Sequence, residues 1–117
     1  MGVVSNLTDK YQTCIDACNR CMQACYECFT LCLNEPDVAA RKKCIETLVN
    51  CASICKQSAS FMSRDSEYAK ELCLFCAAIC EKCAQECSMF KDDHCVKCAE
   101  ECRRCAQECM NMAQSIL

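Results

Sequence analysis

The sequence predicts an all-α fold, an antiparallel up-down-up-down four-helix bundle with a cysteine-lined core. Three observations predict it. The 19 cysteines among 117 residues fall in groups stepped by 3 and 4. That is the seam spacing of a helix packed in a bundle, whereas a strand would step by 2. One Gly and one Pro are too few for the tight turns of a β-sandwich or barrel. The links between the groups are short, which makes consecutive helices antiparallel neighbours.

The first group, Cys14, Cys18, Cys21, Cys25, Cys28 and Cys32, steps by 4, 3, 4, 3, 4 and predicts a helix over about 6–33. Ile15, Met22 and Phe29 line one flank of that seam, and Ala17, Ala24 and Leu31 the other. The second helix, about 36–63, is sparser, with Cys44, Cys51 and Cys55. Leu48 fills the missing step, and Ser58 and Met62 extend the seam. Pro36 suits a first helical turn, where its missing N–H costs nothing. The third helix, about 66–89, carries Cys73, Cys76, Cys80, Cys83 and Cys87, with Asp65 and Ser66 as candidate caps. The fourth, about 93–115, carries Cys95, Cys98, Cys102, Cys105 and Cys109, capped by Asp92 or Asp93. An internal echo links the last two: CEKCAQEC at 80–87 and CRRCAQEC at 102–109 differ at two positions. All of this reads as one domain over 1–117.

Composition narrows the function. Ile, Leu, Val and Phe together number only 21, so the cysteines must fill much of the interior or bind something there. A net charge of −3 with interspersed signs leaves no footprint for nucleic acid. No apolar run approaches the roughly 20 residues that span a bilayer. The N-terminus lacks the basic and hydrophobic regions of an export signal. A cytoplasmic chain with reduced thiols is therefore expected. One His and no acidic pair on a seam leave little for acid–base catalysis, so an enzyme is not expected.

Stacked thiols on one helix face lie about 5–6 Å apart at Cβ, so the bundle interior becomes a column of sulfur. Cysteine as mere apolar filler would pack loosely where Leu or Ala serves better. Disulfides need Cβ atoms about 3.5–4.5 Å apart, which neighbours along one helix do not readily offer. Iron–sulfur runs place Pro after the last ligand, and no cysteine here precedes Pro. Zinc prefers compact sets of four ligands, and stacked Zn(Cys)4 units of charge −2 would repel in a dry core. Cu(I) is soft and takes thiolates in twos and threes. With bridging thiolates and a metal-to-sulfur ratio near one, the core approaches neutrality. On that count 19 thiolates hold on the order of ten to twenty Cu(I) ions. The residues favour Cu(I); the alternative is a zinc or mixed-metal thiolate buffer, or a thiol redox reservoir.

The Cys14-x3-Cys18-x2-Cys21 ladder, the sparse second helix, the C-x2-C-A-x2-C run of the third and His94-Cys95-x2-Cys98-Ala99 opening the fourth resemble the cytosolic copper storage protein family. The resemblance covers about 7–113. It implies a four-helix bundle, usually a tetramer, in the bacterial cytosol, holding many Cu(I) ions. It carries thiolate ligation over to all 19 cysteines named above. Leu48 departs from that pattern and implies a gap in the metal column.

The predicted topology gathers Cys32, Cys44, Cys87, Cys95, His94 and Met89 at one end. Imidazole can ligate copper when neutral, so His94 joins the candidate ligands and this end is the expected mouth. Leu7, Tyr11, Met62, Met112 and Ile116 gather at the other end as an apolar plug. A copper chaperone or a low-molecular-weight thiol is the expected donor. Tyr26, Leu33, Leu74 and Phe75 fall off the seams and suggest a subunit interface.

Overall fold

The computed structural model describes residues 2–115. Among them are four helices and no strand: α1 Gln12–Leu33, α2 Lys42–Ser63, α3 Ala69–Cys87 and α4 Asp93–Ser115. Short 3-10 turns at Asp9–Tyr11 and Val38–Arg41 lead into α1 and α2. Each helix packs on two neighbours, α1 on α2 and α4, and α3 on α2 and α4. The bundle is elongated, 47 × 26 × 18 Å. No helix of the described residues is long and apolar enough to cross a membrane.

The core is built from the cysteine seams and small flanking residues. Ala52, Ala69, Ala84, Ala99, Ala106 and Ala113 are buried between the helices, which permits close approach of the backbones. Leu48 and Met62 are the largest fully buried side chains. Ile15 and Ala17 are buried beside the α1 seam, with Met22 and Phe29 partly buried. Leu31, assigned by its spacing to that flank, is 47% exposed. It lines a groove between α1 and α4.

Helix starts depart from the sequence-based bounds where turns intervene. Pro36 does not open α2. It stands in a turn six residues earlier, where Val38 N–H reaches Glu35 O at 3.2 Å and Ala40 N–H reaches Asp37 O at 2.9 Å. Asp65 ends α2 and does not cap α3. Its φ is +52°, the left-handed conformation that closes a helix C-terminus. Asp65 N–H bonds to Met62 O at 3.1 Å and Ser66 N–H to Phe61 O at 3.0 Å, the paired bonds of a Schellman motif. The Ser66 hydroxyl accepts from Tyr68 N–H at 3.1 Å, one turn before α3 starts at Ala69. At α4 the Asp92 carbonyl accepts from Cys95 and Val96 N–H, both at 3.0 Å, while its carboxylate turns to the bundle end.

Tyr11, Met62 and Met112 close one end, each 5% exposed or less. Leu7 does not join that plug, being 66% exposed, and Ile116 lies outside the described residues.

The flanking alanines and aliphatics need no metal to pack. The protein without metal is therefore expected to be strongly helical by far-UV circular dichroism under reducing conditions, unlike a zinc finger that folds on its ion. A random-coil spectrum would refute a prebuilt bundle.

Candidate metal centre

All 19 cysteines are free and buried, none more than 2% exposed. The helices interleave their sulfurs into a continuous path. From the plug it runs Cys14 to Cys109 at 3.6 Å, Cys109 to Cys18 at 3.9 Å, and Cys18 to Cys105 at 3.6 Å. It continues from Cys105 to Cys55 at 3.8 Å, Cys55 to Cys80 at 3.7 Å, and Cys80 to Cys51 at 3.7 Å. Cys21, Cys102, Cys25 and Cys98 follow with gaps of 3.8–3.9 Å. Cys73 faces Cys14 and Cys109; Cys76 joins Cys18, Cys105 and Cys109. Cys83 is fully buried on the α3 seam. Cys44 and Cys87 pair at 3.9 Å.

These spacings suit thiolate-bound metal. With metal–sulfur bonds of about 2.3 Å, sulfur–sulfur edges are about 4.0 Å in a trigonal site and about 4.6 Å in a linear one. Sets such as Cys21, Cys25, Cys51 and Cys102 bring all their sulfurs within 4.8 Å of one another. Ligand sets share members: Cys21 belongs to at least two and Cys109 to at least two. Shared thiolates are what a bridged polynuclear core requires. Ser58, on the seam after Cys55, has a buried hydroxyl without a protein hydrogen-bond partner.

The opposite end brings together His94, Cys95, Cys28 and Cys32. The three sulfurs stand 3.7–3.9 Å apart, and His94 Nδ1 lies 3.6, 4.0 and 3.5 Å from Cys28, Cys32 and Cys95. The other ring nitrogen, Nε2, is 3.2 Å from a Glu35 carboxylate oxygen. A partner on Nε2 orients Nδ1 toward the sulfurs, as carboxylates orient metal-binding imidazoles elsewhere. Met89 is 69% exposed and no contact of its side chain with the sulfurs appears.

This end is closed along the bundle axis by a residue the sequence reading did not single out. Arg41 is 4% exposed. Its guanidinium donates to the Cys32 and Cys95 sulfurs at 3.6 Å each. It pairs with Asp37 at 2.7 Å and Asp92 at 2.5 Å, and stacks on the Phe90 ring 4.5 Å from its centre. The seam held the signal: Arg41 lies three residues before Cys44, so the α2 steps run back through it.

Electrostatics divides the site. Burial, followed by the hydrogen bond to Cys32, pushes the Cys95 thiol up to about 12. In the Cys44–Cys87 pair the hydrogen bond holds Cys44 down, while bonds with Cys28 and Cys44 push Cys87 up. Without metal, burial works against the thiolate at each of these sites, so ionisation accompanies metal binding. The hydrogen bond from Arg41 holds the Asp92 carboxyl below the usual range. Asp92 in turn holds the guanidinium above its ordinary value, against burial.

The comparisons with known proteins agree with this geometry. A profile describing copper storage proteins matches residues 7–114. The chain belongs to the copper storage protein family. The Cu(I)-bound copper storage protein BsCsp3 superposes with a TM-score of 0.85 at 44% identity, over 89% of this chain and 98% of that one. A cytosolic copper storage protein from Streptomyces lividans, loaded with five coppers, superposes with a TM-score of 0.87 at 37% identity, over 92% of this chain and 94% of that one. A cysteine-rich protein of Bacillus subtilis (strain 168), YhjQ, is 44% identical over 83 residues, 71% of this chain and 77% of its own length.

Asp92→Asn is expected to lower stability near neutral pH. The folded carboxyl titrates below its unfolded value of about 3.9, so its contribution is full above that pH and fades as pH falls through the folded value. Urea denaturation of wild type and variant at stepped pH should converge in acid; a gap independent of pH would refute the Arg41–Asp92 pair as its source.

Proposed function

We propose that this chain stores Cu(I) in the bundle core, with the 19 cysteine thiolates and His94 as ligands. The observation that carries the reading is the unbroken sulfur path, each step 3.6–3.9 Å, from Cys14 near the plug to Cys98 near the His94 end. A path of shared thiolates supports many ions at about one metal per sulfur, which keeps a buried core near neutral. Family membership supports the same reading, since relatives are named for Cu(I) and for loaded copper.

The role is storage without catalysis, in the cytoplasm, with a low-molecular-weight thiol or a copper chaperone as donor. A homotetramer fits the exposed apolar residues Tyr26, Leu33, Leu74 and Phe75, which are 40–57% exposed in the single chain.

Anaerobic titration with Cu(I) against a coloured chelator is expected to continue past about ten equivalents before the chelator holds metal. It should release protons and raise the thermal midpoint, because binding ionises thiols and favours the folded state. Saturation at one or two equivalents would refute storage and favour a chaperone.

His94→Ala is expected to slow uptake while leaving capacity almost unchanged, since cysteines supply nearly all ligands. Met62→Leu and Met112→Leu should alter neither, because both residues sit in the apolar plug. Slow Met variants beside a normal His94 variant would reverse the polarity of the tube.

A further inference from the structure

The His94 end is the accessible end of the sulfur column, yet along the axis it is shut. Arg41, buried and held by two carboxylates and the Phe90 ring, lies over Cys32 and Cys95. Its N–H groups occupy those two sulfurs, and its charge is already taken up by Asp37 and Asp92. Cys44 and Cys87 at the same end are 1% and 0% exposed, against 1% for Cys28 and 2% for Cys98. Metal arriving along the axis would have to break two ion pairs before meeting a free sulfur.

The side of the bundle differs. A groove of about 410 Å³ runs between α1 and α4, and its lining includes Cys28, Cys98 and His94. Cys98, with Cys14, is the least completely covered of the cysteines at 2%. Ala24, partly buried against the core, forms part of the α1 wall. The rim carries both signs: Arg20 pairs with Glu101, and Lys97 with Asp93 at 3.0 Å. Arg20 and Lys97 keep 69% and 71% of their side-chain surface in water, where they can meet an anionic donor.

We infer that Cu(I) passes into the core sideways, through the α1–α4 groove onto Cys28 and Cys98, from an anionic Cu(I)–thiolate complex, while Arg41 seals the end of the tube. This rests on the storage reading above. In the exchange, two copper–sulfur bonds to the donor thiolates break and two form to Cys28 and Cys98. The protons of the two cysteine thiols leave on the departing donor thiols, so charge is conserved and copper stays Cu(I). From there the ion has two directions. Cys28 leads at 3.8–3.9 Å to Cys32 and Cys95 with His94 alongside. Cys98 leads at 3.9 Å to Cys25 and the long path toward the plug.

The test is stopped-flow uptake of Cu(I) supplied as its glutathione complex, with capacity measured separately at equilibrium. Ala24→Phe fills the groove over non-ligating atoms. It is expected to slow uptake at least about tenfold at unchanged final stoichiometry, and Arg41→Ala added to it should restore the rate by unsealing the end. Uptake by Ala24→Phe at the wild-type rate overturns the lateral route. A second readout uses the wild-type protein alone: brief alkylation with iodoacetamide, located by mass spectrometry. Cys28 and Cys98 should be modified ahead of Cys32, Cys44, Cys87 and Cys95. Modification of the end cysteines first overturns the proposal, and this order decides alone if Ala24→Phe does not fold. Low capacity in the wild type would instead sink the storage reading, whatever the rates.

Discussion

The sulfur–sulfur spacing across the bundle axis is the constraint on which the rest of this structure depends. Thiol side chains are short, so four helices can bring their sulfurs to 3.6–3.9 Å only if their backbones pack closely. The alanines beside the seams make that approach possible, and they add little apolar mass. Large aliphatic side chains are therefore few and concentrated. Leu48 interrupts the sulfur column on α2, while Met62 closes its end. The same interior must serve as a packed core when empty and as a ligand set when full, and the seam geometry satisfies both.

Much of this was legible in the sequence, because a helix seam translates spacing directly into position. The cysteines alternate by 3 and 4, so their burial and their facing across the axis follow from periodicity alone. The α4 bounds, 93–115, coincide with the helix in the structure, since Asp92 precedes it, Asp93 opens it and no turn intrudes. The α2 start was less readable. Pro36 fits a first helical turn equally well as sequence, and only the bonds to Glu35 and Asp37 carbonyls decide for a separate turn. Asp65 misled for a related reason: its left-handed conformation serves the helix behind it, and residue type does not reveal which side an aspartate caps.

Arg41 was the consequential omission. Among 13 basic residues, one arginine near a predicted helix start reads as a solvated charge. Its burial depends on partners from three other places in the chain, Asp92 and Phe90 after α3, the sulfur of Cys32 at the end of α1 and that of Cys95 in α4. Such convergence is tertiary and has no local signature beyond the seam register. Its presence changes the meaning of the bundle end. A buried cation covers two of the sulfurs there, with its own charge offset by the Asp37 and Asp92 carboxylates.

The completeness of thiol burial has a further consequence, in redox terms. Each core sulfur has another within 3.9 Å along most of the path. Peroxide reaching one of them would produce a sulfenic acid with a resolving thiol already beside it, and the pair would condense to a disulfide. Every such crosslink removes two ligands, and one between helices draws both off their seam. The vulnerable form is thus the empty bundle, in which the sulfurs are unshared. A filled one ties the same lone pairs to metal. Covering every cysteine to within 2% of full burial is how an unfilled store remains fillable in a cell that also makes oxidants.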